Sequence, residues 1–113
     1  MNARLSDLLA RIPGPVSATW PKGEPFAIAF QHGSMTVELY RPTDRDTQAP
    51  HDRDELYFIA TGTGTLVHGG RRDTFGPGDA FFVPAGQAHR FVDFSADFAT
   101  WVVFYGPEGG EQP

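Results

Sequence analysis

The chain contains no cysteine. Disulfides, thiolate metal sites and a cysteine nucleophile are therefore excluded, and the absence suits the cytoplasm. Long apolar runs are also missing, and no segment approaches the roughly 20 residues of a membrane-spanning helix. The N-terminus, MNARLSDLLARIPG, carries Arg4, Asp7 and Arg11 and lacks the apolar centre of a signal peptide. A cytoplasmic protein is expected. Basic residues are few, 9 against 14 acidic ones for a net charge of −5, and they form no stripe. A nucleic-acid backbone would find little to bind, so neither nucleic acid nor membrane is expected as a partner. A phosphate-binding loop is lacking as well: TGTGTL, at 61–66, has no third glycine and runs into a strand. No Ser-His-Asp arrangement is apparent.

What remains is a chain of 113 residues, enough for one domain with one core. Leu5, Leu8, Leu9 and Ile12 fall on one helical stripe, which the PGP at 13–15 stops, so residues 1–14 are expected to hold a short N-terminal helix. From there the pattern has period two. The segments 26–31, 34–41, 55–62, 64–69, 71–76, 79–86, 88–94 and 98–106 read as short strands bounded by Gly, Pro, Asp or Ser. HGG at 68–70 and GPGD at 76–79 read as tight hairpins. Many short strands with no helix between them predict an all-β, antiparallel sandwich or barrel over 16–106. Residues 107–113, PEGGEQP, have no apolar side chain and are expected to form a flexible tail.

Alternation along strands suggests which side chains meet. In an extended 50–60, His51, Glu55, Tyr57 and Ile59 share a face. In 88–94, His89, Phe91 and Asp93 share one. Two histidines and a carboxylate can thus converge from two strands. The run HDRDE otherwise reads as a solvated loop, with Asp52, Arg53 and Asp54 in water and Glu55 opening the strand. His32 and His68, beside glycines, read as structural residues of turns.

One stretch carries a resemblance. GDAFFVPAGQAHRFVD places Gly78, Pro84, Gly86 and His89 at the spacing G-x5-P-x-G-x2-H-x3-N, with Asp93 at the final position. His51, Glu55 and Gly62 match the second half of G-x5-H-x-H-x3-4-E-x6-G. In its first half Thr43 stands at the glycine and Ala49 at the first histidine. The chain resembles the cupins, small double-stranded β-helix (jelly-roll) barrels, over about residues 34–105. The resemblance implies a metal site near one end of the barrel, with His51, Glu55 and His89 as ligands to one divalent ion, whether iron, manganese, nickel or zinc. Gln48 and Asp46 are nearby candidates for a fourth donor. Such a facial set leaves positions open for water, substrate or oxygen. Tyr57, Gln87 and Phe91 are candidates for substrate binding. Gly62, Gly78, Pro84, Gly86 and Asp93 are structural motif positions, and Asp93 is either an acceptor orienting a histidine or a solvent-exposed residue. The implied function is a metal-dependent oxygenase, lyase or isomerase acting on a small polar molecule. A non-catalytic ligand binder and a metal-free structural cupin stay open beside it. A homodimer is expected, since small cupins commonly pair and the aromatic residues exceed what one core needs.

Overall fold

The computed structural model describes residues 1–113. One short helix, α1 (Leu5–Leu9), precedes eight strands: β1 (Phe26–His32), β2 (Met35–Tyr40), β3 (Asp54–Thr61), β4 (Gly64–His68), β5 (Arg71–Phe75), β6 (Ala80–Val83), β7 (His89–Val92) and β8 (Ala99–Tyr105). All eight expected strands are present. They form two antiparallel sheets, one of five strands in the order β1-β2-β8-β3-β6 and one of three in the order β5-β4-β7. Two facing sheets with these crossovers are the double-stranded β-helix.

Between the sheets lies a core of nine buried side chains, among them Tyr57, Leu66, Phe75, Phe91 and Phe98. Their rings meet edge-on or tilted, as in Phe75 against Phe91 at 5.7 Å and Phe91 against Phe98 at 4.8 Å, the arrangement the ring quadrupoles favour. A second, smaller cluster covers the outer face of the large sheet. There Leu8 of α1 seals Ala27, Leu39 and Ala99, with Leu5, Leu9 and Ile12 packed around it. The predicted stripe therefore does bury, but the helix is five residues long rather than most of 1–14. Arg4 supplies no side-chain cap, and past Ala10 the bonds tighten to Arg11 N–H → Leu8 O and Ile12 N–H → Leu9 O before PGP.

The two turn signals differ in outcome. Gly69 and Gly70, at φ 53° and 77°, close a two-residue β4–β5 hairpin that other residues would strain. GPGD is a tight turn but no hairpin. Asp79 N–H returns to Gly76 O, yet β5 and β6 belong to different sheets, so the turn carries the chain across the barrel. The expected loose tail folds back on the barrel: Gly109 N–H donates to Asp52 O at 2.6 Å and Glu111 N–H to Asp54 Oδ2 at 2.9 Å. Asp54 is correspondingly buried rather than solvated. Its other oxygen accepts from Ala85 N–H at 2.9 Å, so one carboxylate ties β3, the loop after β6 and the C-terminal segment.

Candidate metal centre

Register brings the three candidate ligands together. Glu55 is the second residue of β3, paired with Phe104 of β8 and Val83 of β6, and its side chain points inward with 1% of its surface exposed. His89 opens β7 in the facing sheet. His51 lies in the irregular segment before β3, so the extended 50–60 that would give it one face with Glu55 is not formed as a strand. Its carbonyl accepts from Gly86 N–H at 2.7 Å, which seats it against the His89 end of the barrel. One donor atom from each of His51, Glu55 and His89 lies within 4.8 Å of the others.

Hydrogen bonding decides what these atoms are. His89 Nδ1 is 2.9 Å from Gln87 O, a carbonyl that can only accept, so Nδ1 carries a hydrogen and Nε2 is the ring nitrogen turned to the site. That Nε2 is 3.1 Å from Glu55 Oε1. No hydrogen bond forms across that contact as it stands, and His89 Nε2 and Glu55 Oε2 are buried without a partner. Burial pushes the Glu55 carboxyl up to about 8, with the Tyr57 hydroxyl pulling the other way. His51 is held below the usual histidine range by burial and by His89, which keeps it neutral and ready to ligate.

The remaining candidates fall in several places. Phe91 is core, between Tyr40, Tyr57, Phe75 and Phe98. Tyr57 is fully buried and its hydroxyl reaches Gln48 Oε1 at 3.3 Å. Gln87 holds His89 through its carbonyl, and its amide covers Gly69 of the β4–β5 turn. Gly62, Gly78 and Gly86 all have positive φ, and Pro84 follows the last residue of β6. At Gly62 a Cβ would lie 2.6 Å from Phe98 Cα, so space as well as φ demands glycine. Asp93 stands past the end of β7 at φ 52°, which breaks the alternation and turns it outward to within 3.7 Å of Arg72. It orients no histidine. His68 pairs with Asp73 at 2.8 Å on the small sheet.

A cavity of about 500 Å³ opens beside the centre, lined by Trp20, Phe26, Glu38, Tyr40, His51 and Phe104 among others. Arg53 contributes the positive charge at its wall and lies 5.9 Å over the Phe104 ring. His51 is the ligand candidate that borders this space, whereas Glu55 and His89 are buried and not part of its lining. Glu38 is a member of this region that the sequence does not mark, and Asp46, a fourth-donor candidate, takes a different role. In β2 the inward positions are Glu38 and Tyr40, while Leu39 packs outward under α1. Asp46 is 3% exposed and accepts four hydrogen bonds, from Tyr40 Oη–H (2.6 Å), Gln48 N–H (3.0 Å), Gln48 Nε2–H (2.8 Å) and Phe91 N–H (2.9 Å). Its acceptor capacity is used, so of the two fourth-donor candidates only Gln48 has an atom to offer.

The family described as Cupin domain (Cupin_2) matches residues 36–105, which span β2 to β8 and all three candidate ligands. The chain is a cupin. This cupin is 38% identical over 77 residues to the uncharacterized protein SCO3923 of Streptomyces coelicolor, covering 66% of this chain and 73% of that one. It is 33% identical over 64 residues to a 5-aminosalicylate 1,2-dioxygenase of Comamonas sp., covering 57% of this chain but only 17% of the dioxygenase. Among solved structures, protein NMB1881 from Neisseria meningitidis superposes with a TM-score of 0.68 at 19% identity, covering 94% of this chain and all (100%) of that one. At that identity the likeness speaks for the fold.

Proposed function

We propose that this cupin holds one divalent ion through His51, Glu55 and His89 and acts on a small organic molecule bound in the adjoining cavity. The observation that carries this is that His89 Nε2 and Glu55 Oε2 are buried without a hydrogen-bond partner, on two side chains whose nearest nitrogen and oxygen, His89 Nε2 and Glu55 Oε1, are 3.1 Å apart. Donor atoms about 2.1 Å from an ion and near right angles to one another lie about 3 Å apart. The pair thus has the spacing of neighbouring ligands, and a cation removes the cost of leaving both acceptors without a donor. Two imidazoles and a carboxylate suit iron, manganese, nickel or zinc, and a bound ion would supply Lewis acidity or oxygen activation to the substrate. The chain's own contribution is to hold the donors and to present an aromatic wall, Trp20, Phe26 and Phe104, that excludes water from one side of the ligand. Oxygenase chemistry leads lyase or isomerase chemistry, because the match to a dioxygenase extends over 64 residues of sequence.

One feature favours a second reading. A protonated Glu55, with its carboxyl near 8, donates to His89 Nε2 and satisfies the contact without an ion, as in a metal-free binding cupin. Metal analysis separates the two. Wild-type protein reconstituted with iron(II), manganese(II), nickel(II) or zinc(II) is expected to retain one equivalent of at least one ion, and His89→Ala none. Stoichiometric retention by His89→Ala, or no retention by wild type, overturns the metal site. Oxygen uptake by the loaded protein with small hydroxylated aromatic acids then tests the oxygenase assignment.

The expected homodimer has a candidate face around Phe58 of β3 and Phe82 of β6, whose rings are 42% and 48% exposed on the outside of the large sheet. Phe82→Glu is expected to shift a dimer to monomer in sedimentation equilibrium. A monomeric wild type overturns it.

A further inference from the structure

We propose that the side-chain oxygen of Gln48 is the fourth protein donor to the ion, filling the role left open at Ala49; the inference rests on the metal site proposed above. Gln48 lies three residues before His51, and its Oε1 is 3.2 Å from His51 Nε2. That distance nearly repeats the 3.1 Å between His89 Nε2 and Glu55 Oε1, and both fit the edge of one coordination shell, about 3 Å. In the tautomer with hydrogen on Nε2, His51 donates to Gln48. In the other tautomer two bare acceptors face each other, and an ion replaces that hydrogen.

The amide is not free to turn. Its nitrogen donates to Asp46 Oδ2 at 2.8 Å, and Asp46 also accepts from the backbone of Gln48 at 3.0 Å. Turning the amide over would set its oxygen against a buried carboxylate and leave the NH₂ group facing the histidine. Asp46 therefore fixes which atom is offered to the site. It is itself anchored to β2 through Tyr40 and to β7 through Phe91, so the orientation is built into the barrel. Tyr57 Oη lies 3.3 Å from the same amide oxygen, and its single hydrogen serves either Gln48 or Glu55; even when it goes to Gln48, a second lone pair is left for the ion. The chemistry is suitable too: a carboxamide oxygen is a neutral donor, as an imidazole is. Two histidines, one glutamate and one glutamine leave a divalent ion with the same net charge as three histidines and a glutamate. Ala49 offers only a methyl group and borders the cavity, so the donor set is completed from the residue beside it.

Cobalt(II) is the probe. Its affinity is measured by competition with a chromophoric chelator, and its coordination by the visible spectrum, in wild type, Gln48→Ala and His89→Ala. Gln48→Ala is expected to bind cobalt about tenfold or more weakly and with a changed d–d spectrum, and His89→Ala to lose it. Because removing a partner of Asp46 can disturb folding, the wild-type protein is also titrated with zinc(II) and followed at the Gln48 carboxamide by NMR. Its carbonyl carbon is expected to shift in step with zinc occupancy. Wild-type affinity and spectrum in Gln48→Ala, or a carboxamide indifferent to zinc, overturns the role of Gln48 while the three-residue site stands. A wild type that binds neither ion overturns both.

Discussion

Glu38 shows what a half-buried carboxyl does in this barrel. It faces the cavity from β2, and burial pushes its carboxyl from 4.5 up to about 7. The native state therefore holds this proton more tightly than the unfolded chain does. The stability this contributes is fully present below pH 4.5 and is lost as the pH rises through 7. A shift of that size corresponds to about 3 kcal/mol, so in chelator-treated protein Glu38→Gln is expected to exceed wild type by up to that amount at pH 8 and to match it at pH 4. Urea denaturation at the two values measures the difference, and a gap that does not change with pH would contradict it. Gly62 poses the opposite constraint, of space rather than charge. At φ +85° and with Phe98 backbone atoms at 2.6 and 2.8 Å from any Cβ, Gly62→Ala is expected to cost at least about 2 kcal/mol in the same assay.

At the scale of elements, the segments that carry the site are held by hydrogen bonds from outside their own strands. Asp54 secures the start of β3, where Glu55 follows, and through Ala85 it secures the loop whose Gly86 holds the His51 carbonyl. Asp54→Ala leaves two partly buried N–H groups without an acceptor and is expected to cost about 2–4 kcal/mol. It should also weaken metal binding, because His51 loses its seat. Deleting residues 107–113 removes two bonds to the rest of the chain, from Glu111 and Gly109, so a smaller loss of about 1–2 kcal/mol is expected. Equal melting temperatures for the truncated and full chains would show that the fold-back contributes nothing. The strands themselves were readable because period-two alternation bounded by Gly and Pro is a local signal. The fold-back was not, since PEGGEQP docks through backbone N–H groups that every sequence possesses.

For the whole molecule, the proposed site is assembled from both sheets, so an ion bound there would be coupled to folding, because the unfolded chain holds no such cluster. An ion at a hundred times its dissociation constant stabilises the native state by about 2.7 kcal/mol, which for a chain of this size raises the melting temperature by roughly 10 °C. Calorimetry with and without chelator measures this, and an unmoved transition in metal-loaded protein would favour the metal-free reading. By itself the sequence determined the barrel and its eight strands, and it singled out His51, Glu55 and His89, because strand alternation and the glycine–proline–histidine spacings are short-range. Tertiary structure decided everything that depends on which distant atoms meet. It turned Asp93 to solvent where β7 ends, and it buried Asp54 under a segment more than fifty residues away. It also put Glu38 inside a sheet covered on both faces, where apolar alternation cannot distinguish inside from outside. Most of all it set the amide of Gln48 beside His51, since the four donors that Asp46 collects come from β2, β7 and the loop between β2 and β3, and only folding brings them to one carboxylate.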